Sequence, residues 1–168
     1  LFDKLGFKST SFVWTENLNP QIATGHDTSG NCNERKKYNH ANAAYTLYTT
    51  SDEYAKFIIE IMKPDRLEDQ SMSDKMIKEM LTHQVRVDVR EVIDRPGRSL
   101  GLFAYRGLGW GIDSTITGDI VYHSGANQTG FRCYSQFNIR DGSGIVIMTN
   151  GENGSELWQR LISKVGDL

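Results

Sequence analysis

The sequence predicts an α+β fold in which an antiparallel sheet carries a carboxy-terminal helix, with two further helices ahead of the strands. Three observations point to it. Two apolar stripes at helical spacing lie between residues 50 and 82, glycine, β-branched and aromatic residues take over after Leu100, and an amphipathic segment closes the chain. A length of 168 residues suits one domain, and a hydrophobic content of 38% is enough for a core, which excludes a wholly disordered chain.

Residues 1 to 50 are rich in turn formers, among them Asn17-Leu18-Asn19-Pro20 and Thr24 to Asn31, and read as a loop-rich cover lying over another surface. The first helix begins after Thr50. Thr50 and Glu53 have the spacing of a capping box, and Tyr54, Phe57, Ile58, Ile61 and Met62 form one stripe ended by Pro64. A second helix is expected from Ser73, with Met76, Ile77, Met80 and Leu81 on its apolar side. The helical region thus spans residues 51 to 82.

Between residues 100 and 150 four strands are expected: Leu108 to Ile112, Asp119 to His123, Gly130 to Ile139 and Gly144 to Thr149. Asp141-Gly142-Ser143-Gly144 supplies the turn of an antiparallel hairpin between the last two. Ile145-Val146-Ile147-Met148 has no polar alternation, the pattern of a central strand covered on both faces. The terminal helix, within residues 153 to 168, offers Leu157, Trp158, Leu161, Ile162 and Val165 as its apolar face. Two helices are few to cover the opposite side of the sheet, so the core reads as incomplete.

Several functions are disfavoured at once. Nineteen basic against 21 acidic side chains give a net charge of -2, which argues against nucleic-acid binding through a positive field. Apolar runs such as Ile145 to Met148 fall far short of the roughly 20 residues of a membrane helix. Cys32 and Cys133 show no Cys-x-x-Cys spacing and leave one long-range disulfide open. His26, Cys32 and His40 match no usual zinc spacing, so neither a metal nor another cofactor is expected. Trp14, Tyr38 and Tyr45 could line a pocket or pack the loop on the sheet.

The segment richest in chemistry is Tyr122-His123-Ser124-Gly125-Ala126-Asn127, at a strand end. His123 could carry a proton, Ser124 could donate a hydroxyl hydrogen bond, and Gly125 could let backbone approach a ligand closely. Spacing alone leaves open a glycine-rich turn with an exposed histidine. Glu152 and Asn153, just before the terminal helix, could touch substrate at a cleft mouth or cap that helix.

Taken together, Leu5-Gly6-Phe7-Lys8-Ser9-Thr10, the stretch Ala43 to Phe57, Leu108-Gly109-Trp110-Gly111, His123-Ser124-Gly125-Ala126-Asn127 and Ile147-Met148-Thr149-Asn150-Gly151 resemble, in order, the carboxy-terminal part of the serine β-lactamase and penicillin-binding-protein-like hydrolases. Within that family the likeness is to the class C β-lactamase, D-alanyl-D-alanine carboxypeptidase and esterase branch. It implies a partial β-lactamase/transpeptidase-like fold over residues 1 to 168. It also implies that His123-Ser124-Gly125 is the third active-site motif, where the family has Lys-Thr-Gly or a variant, with His123 and Ser124 toward the substrate carboxylate or the catalytic hydroxyl. The backbone N–H of Ala126 would be one of two oxyanion-hole donors, and Asn127, Glu152 and Asn153 would contact substrate. The same resemblance implies export of the parent protein, periplasmic or extracellular.

The family's nucleophile lies in a Ser-x-x-Lys helix turn, and no lysine here has serine three residues before it. Its second motif, Tyr-x-Asn, is also absent from the sequence. The expectation is therefore a carboxy-terminal portion that cannot acylate alone and meets either the amino-terminal half of the same protein or a second copy of the chain. A noncatalytic binding or assembly module on the same fold is the alternative.

Overall fold

A computed structural model of the chain describes residues 1–62, 72–87 and 103–165. Helix α1 runs Ser51–Met62 and helix α2 Asp74–Leu81. Six strands follow: β1 Val85–Val87, β2 Phe103–Arg106, β3 Gly111–Thr115, β4 Gly118–Ala126, β5 Arg132–Asn138 and β6 Ser143–Thr149. Helix α3, Gly154–Val165, closes the described chain. The strands form one sheet in sequence order, and every neighbouring pair is antiparallel.

Helix α1 starts where its capping residue predicts, because Thr50 Oγ1 accepts the N–H of Glu53 at 3.2 Å. The reciprocal half of the expected capping box does not form. The Glu53 carboxylate turns outward from its helix and accepts the N–H groups of Lys8 at 2.6 Å and Ser9 at 3.0 Å, together with the Thr10 hydroxyl. Charge-assisted bonds to three donors outweigh one bond to the helix's own first turn. Glu53 therefore fastens the amino-terminal cover to α1. Pro64, expected to end the helix, lies outside the described residues. Ser73 caps α2 by accepting the Met76 N–H at 3.2 Å, while the Met76 side chain, expected on the apolar side, is exposed.

Two apolar layers flank the sheet. On one side Ile58 and Ile61 of α1 and Met72 and Ile77 of the α2 region pack with Trp110, Ile112, Val121 and Phe137. On the other, Trp158 and Ile162 of α3 pack with Tyr122, Tyr134 and Ile147. Only Trp158 and Ile162 of the five apolar α3 residues are buried, and Leu157, Leu161 and Val165 stand exposed. Among the described residues strand β6 forms an edge of the sheet rather than the central strand that its unbroken apolar run suggests. Its lack of polar alternation has another cause: Val146 packs toward the α1 layer and Ile147 toward α3, so both faces are covered at the edge.

The strand expected over Leu108 to Ile112 is displaced to Gly111–Thr115. Residues 107 to 110 instead make the turn between β2 and β3, closed by Gly107 N–H to the Trp110 carbonyl at 2.9 Å, with Gly109 at φ 80°. That left-handed conformation is open to glycine and ends any strand reading. The β5–β6 hairpin forms as expected, with Gly142 at φ 67° and its N–H donated to the Asn138 carbonyl at 3.0 Å. Trp14 packs edge-on with Tyr48, and Tyr38 packs with Tyr45 and Tyr48, with Lys37 Nζ 4.7 Å above the Trp14 ring.

Candidate active site on strand β4

Strand β4 changes character halfway along. Ile120, Val121 and Tyr122 are buried and anchor it, whereas His123, Ser124 and Ala126 are exposed and Gly125 is half-buried. The anchored half presents the remaining residues at the sheet surface in fixed register: His123 opposite Ser135, Ser124 opposite Tyr134, Gly125 opposite Cys133 and Ala126 opposite Arg132.

The His123 ring is held on two sides. Its Nδ1 lies 2.7 Å from the Gly109 carbonyl, and the ring makes a T-shaped contact with Trp110, centroids 6.1 Å apart. A carbonyl only accepts, so Nδ1 carries the proton of the neutral ring and Nε2 is left with a lone pair. The turn at Gly109, which displaces β3 from its expected position, is thus what aims the oxygen that orients the imidazole. Strand alternation puts His123 on the face it shares with Val121, and Ser124 on the opposite face with Tyr122. Among the described residues the Ser124 hydroxyl has no hydrogen-bond partner.

Gly125 leaves room for a neighbour. A Cβ built there would stand 2.7 Å from Cys133 Sγ. Burial pushes the Cys133 thiol up, and the Gly125 N–H bonded to its sulfur offsets part of that rise. Tyr54 of α1 packs beneath the same strands; burial raises its phenol, which is hydrogen-bonded to Ser135. Ser135 Oγ in turn reaches the His123 carbonyl at 3.5 Å. These supporting residues were not evident from the sequence, because they come from two other elements, α1 and β5. We expect Gly125→Ala to cost about 1–3 kcal/mol through overpacking. Adding Cys133→Ala should recover most of that loss in denaturation midpoints, whereas simple addition of the two effects would refute the contact as its cause.

The remaining candidates divide. Asn127 serves the β4–β5 turn, its Oδ1 accepting the Thr129 N–H at 3.1 Å and the Thr129 hydroxyl, while its carbonyl accepts Arg132 Nη1 at 2.8 Å. The Glu152 carboxylate lies 3.9 Å from Arg132, and Asn153 Nδ2 donates to the Thr28 carbonyl at 3.1 Å. The latter two side chains tie the loop before α3 to its neighbours. His26 and Cys32 come together, with Sγ 3.6 Å from Nε2. Both cysteines are free thiols. Among the described residues no three His, Cys, Asp or Glu side chains gather to hold a metal ion, and no helix is long and apolar enough to cross a membrane.

Known proteins place this arrangement in context. No curated protein sequence matches the chain. Among solved structures, the β-lactamase/D-alanine carboxypeptidase from Pseudomonas syringae superposes with a TM-score of 0.69 at 15% identity, covering 98% of this chain and 50% of that one. D-alanine carboxypeptidase AmpC from Burkholderia cenocepacia gives 0.71 at 16% identity, covering 97% and 53%. The octameric penicillin-binding protein homologue from Pyrococcus abyssi gives 0.71 at 18% identity, covering 98% and 35%. At such identities the likeness is one of fold, and the chain spans about half the length of the first two structures and about a third of the last. The family model described as Beta-lactamase matches residues 1–165, so the chain belongs to the Beta-lactamase family.

Proposed function

We propose that this chain supplies the third-motif wall and one oxyanion donor of a serine acyl-transfer site acting on lactam, peptide or ester carbonyls. The observation that carries the reading is the exposed His123, fixed through Nδ1 to the Gly109 carbonyl at the end of an anchored strand. Its Nε2 is available to accept a proton or, in the protonated ring, to donate to a substrate carboxylate. The Ala126 N–H would meet the charge that develops on the carbonyl oxygen in the tetrahedral intermediate, where a preorganised donor contributes about 3 kcal/mol. In the working site a serine elsewhere attacks the carbonyl, an acyl-enzyme forms, and water then releases the acyl group.

Two facts support a nucleophile from outside these 168 residues: no Ser-x-x-Lys or Tyr-x-Asn occurs in them, and the chain covers about half of the first structures it resembles. The partner would be the amino-terminal half of the same protein or a second copy. Among the described residues no strand pairs with the outer edge of β6, and that edge is where such a partner would add.

The isolated chain should give no adduct with a fluorophosphonate or a penicillin by intact mass, and a stoichiometric adduct would overturn the need for an outside nucleophile. In a protein joining these residues to a segment that carries Ser-x-x-Lys and Tyr-x-Asn, His123→Ala should lower kcat/KM for an ester about 100-fold. An unchanged kcat/KM in that protein would remove His123 from the site.

A further inference from the structure

His26 and Cys32 lie on the loop that docks against the end of β6, outside the third-motif wall. Cys32 Sγ stands 3.6 Å from His26 Nε2, and His26 Nδ1 lies 3.1 Å from the Asn150 carbonyl. The carbonyl fixes the proton of the neutral ring on Nδ1, so the lone pair of Nε2 faces the thiol. The backbone that carries the ring is held as well. His26 N–H donates to the Asn150 carbonyl at 2.8 Å, and Glu152 N–H donates to the His26 carbonyl at 3.0 Å. Asn150 Nδ2 adds a bond to the Thr24 carbonyl at 2.9 Å.

The charged groups around the pair are otherwise engaged. Asp27 accepts the N–H groups of Ser29 and Asn31, both at 2.8 Å, and Asn31 Nδ2 at 2.9 Å. Glu152 faces Arg132 at 3.9 Å, and Arg35 Nε donates to Thr24 Oγ1 at 3.0 Å. Cys32 is exposed, so a small reactant reaches its sulfur. Cys133 is the contrasting thiol, half-buried and raised by that burial.

We infer that Cys32 and His26 form a reactive thiol–imidazole pair that exchanges with small-molecule disulfides, making Cys32 a reversible modification site. His26 Nε2 takes the thiol proton, and the thiolate attacks one sulfur of the disulfide. A new S–S bond to Cys32 forms as the old one breaks, and the departing thiolate takes the proton from His26. Cys32 is oxidised and the departing sulfur is reduced, so one disulfide and one thiol yield one mixed disulfide and one small thiol. The inference is independent of the acyl-transfer reading, since neither residue belongs to the β4 wall.

The test uses the full chain with hydroxyethyl disulfide at about pH 6, following the adduct at Cys32 by peptide mass spectrometry. Cys32 should react about tenfold faster than in His26→Gln and about tenfold faster than in a synthetic peptide of residues 28–36. Glutamine can still donate to the Asn150 carbonyl but cannot take the thiol proton. Cys133 should remain unmodified over the same interval. Reaction at Cys32 no faster than in the peptide overturns the inference, and that comparison holds even where His26→Gln does not fold. Equal rates in the wild-type chain and a folded His26→Gln overturn it equally.

Discussion

Truncation of Trp158 to alanine is expected to cost about 4 kcal/mol of folding stability, within the range of about 3–5 kcal/mol for removing a buried aromatic ring. Trp158 is 7% exposed and lies parallel to the ring of Tyr134, with centroids 4.4 Å apart and 8° between the planes. Together with Tyr122, Ile147 and Ile162 it forms the apolar layer between α3 and the sheet. Collapse into the cavity is restricted, because the Tyr134 hydroxyl donates to Gln136 Oε1 at 2.8 Å and both residues are buried. The same truncation at Leu157, which is 50% exposed, should change stability by less than about 1 kcal/mol. Denaturant unfolding of the two variants checks the contrast. A loss below about 1 kcal/mol in Trp158→Ala would mean that α3 does not secure this side of the sheet. The effect reaches the candidate site, because Tyr134 is the register partner of Ser124. A loosened Tyr134 therefore leaves the outer half of β4 less firmly placed.

The parts of this fold that are legible in the sequence are those decided locally. Thr50 and Ser73 start helices because each side chain satisfies an N–H within its own first turn. The β5–β6 hairpin follows from Gly142 in its turn. Strands β1 and β2 escape a sequence reading because they are only three and four residues long, too short for a strand period to show. The place of β6 escapes it for another reason, since burial on both faces produces the same apolar run at an edge as at the centre. Order within the sheet is a property of all the strands together.

The candidate site divides in the same way. The motif His123-Ser124-Gly125 is visible as written, but the Gly109 carbonyl that orients His123 reaches it only through the β2–β3 turn. Cys32 and His26 look like scattered loop residues until Asn150, far along the chain, fixes the imidazole. Glu53 is the sharpest case. Its position three residues after Thr50 argues for a local cap, yet three donors in the segment Lys8 to Thr10 claim its carboxylate.

That contact supports the second large effect: Glu53→Ala is expected to cost about 3 kcal/mol, because it strips the acceptor from two backbone N–H groups and a hydroxyl around a side chain that is 6% exposed. Burial opposes ionisation of Glu53, but the hydrogen bonds from Thr10, Lys8 and Ser9, with the charge of Lys56, outweigh it and hold the carboxyl below its usual range. A carboxyl lowered on folding contributes stability that is fully present above its unfolded value, near 4.3, and that is lost as pH falls through the lower folded value. Glu53→Gln keeps the shape and an acceptor oxygen while removing the charge, so it separates the two contributions. At neutral pH it should be less stable than the wild type by about 1–2 kcal/mol, and the difference should shrink as the pH falls below about 4. Unfolding curves over that range provide the check. A difference that persists undiminished at acid pH would show that shape rather than charge fastens Lys8 to Thr10 onto α1, and the cover would then hold by packing alone.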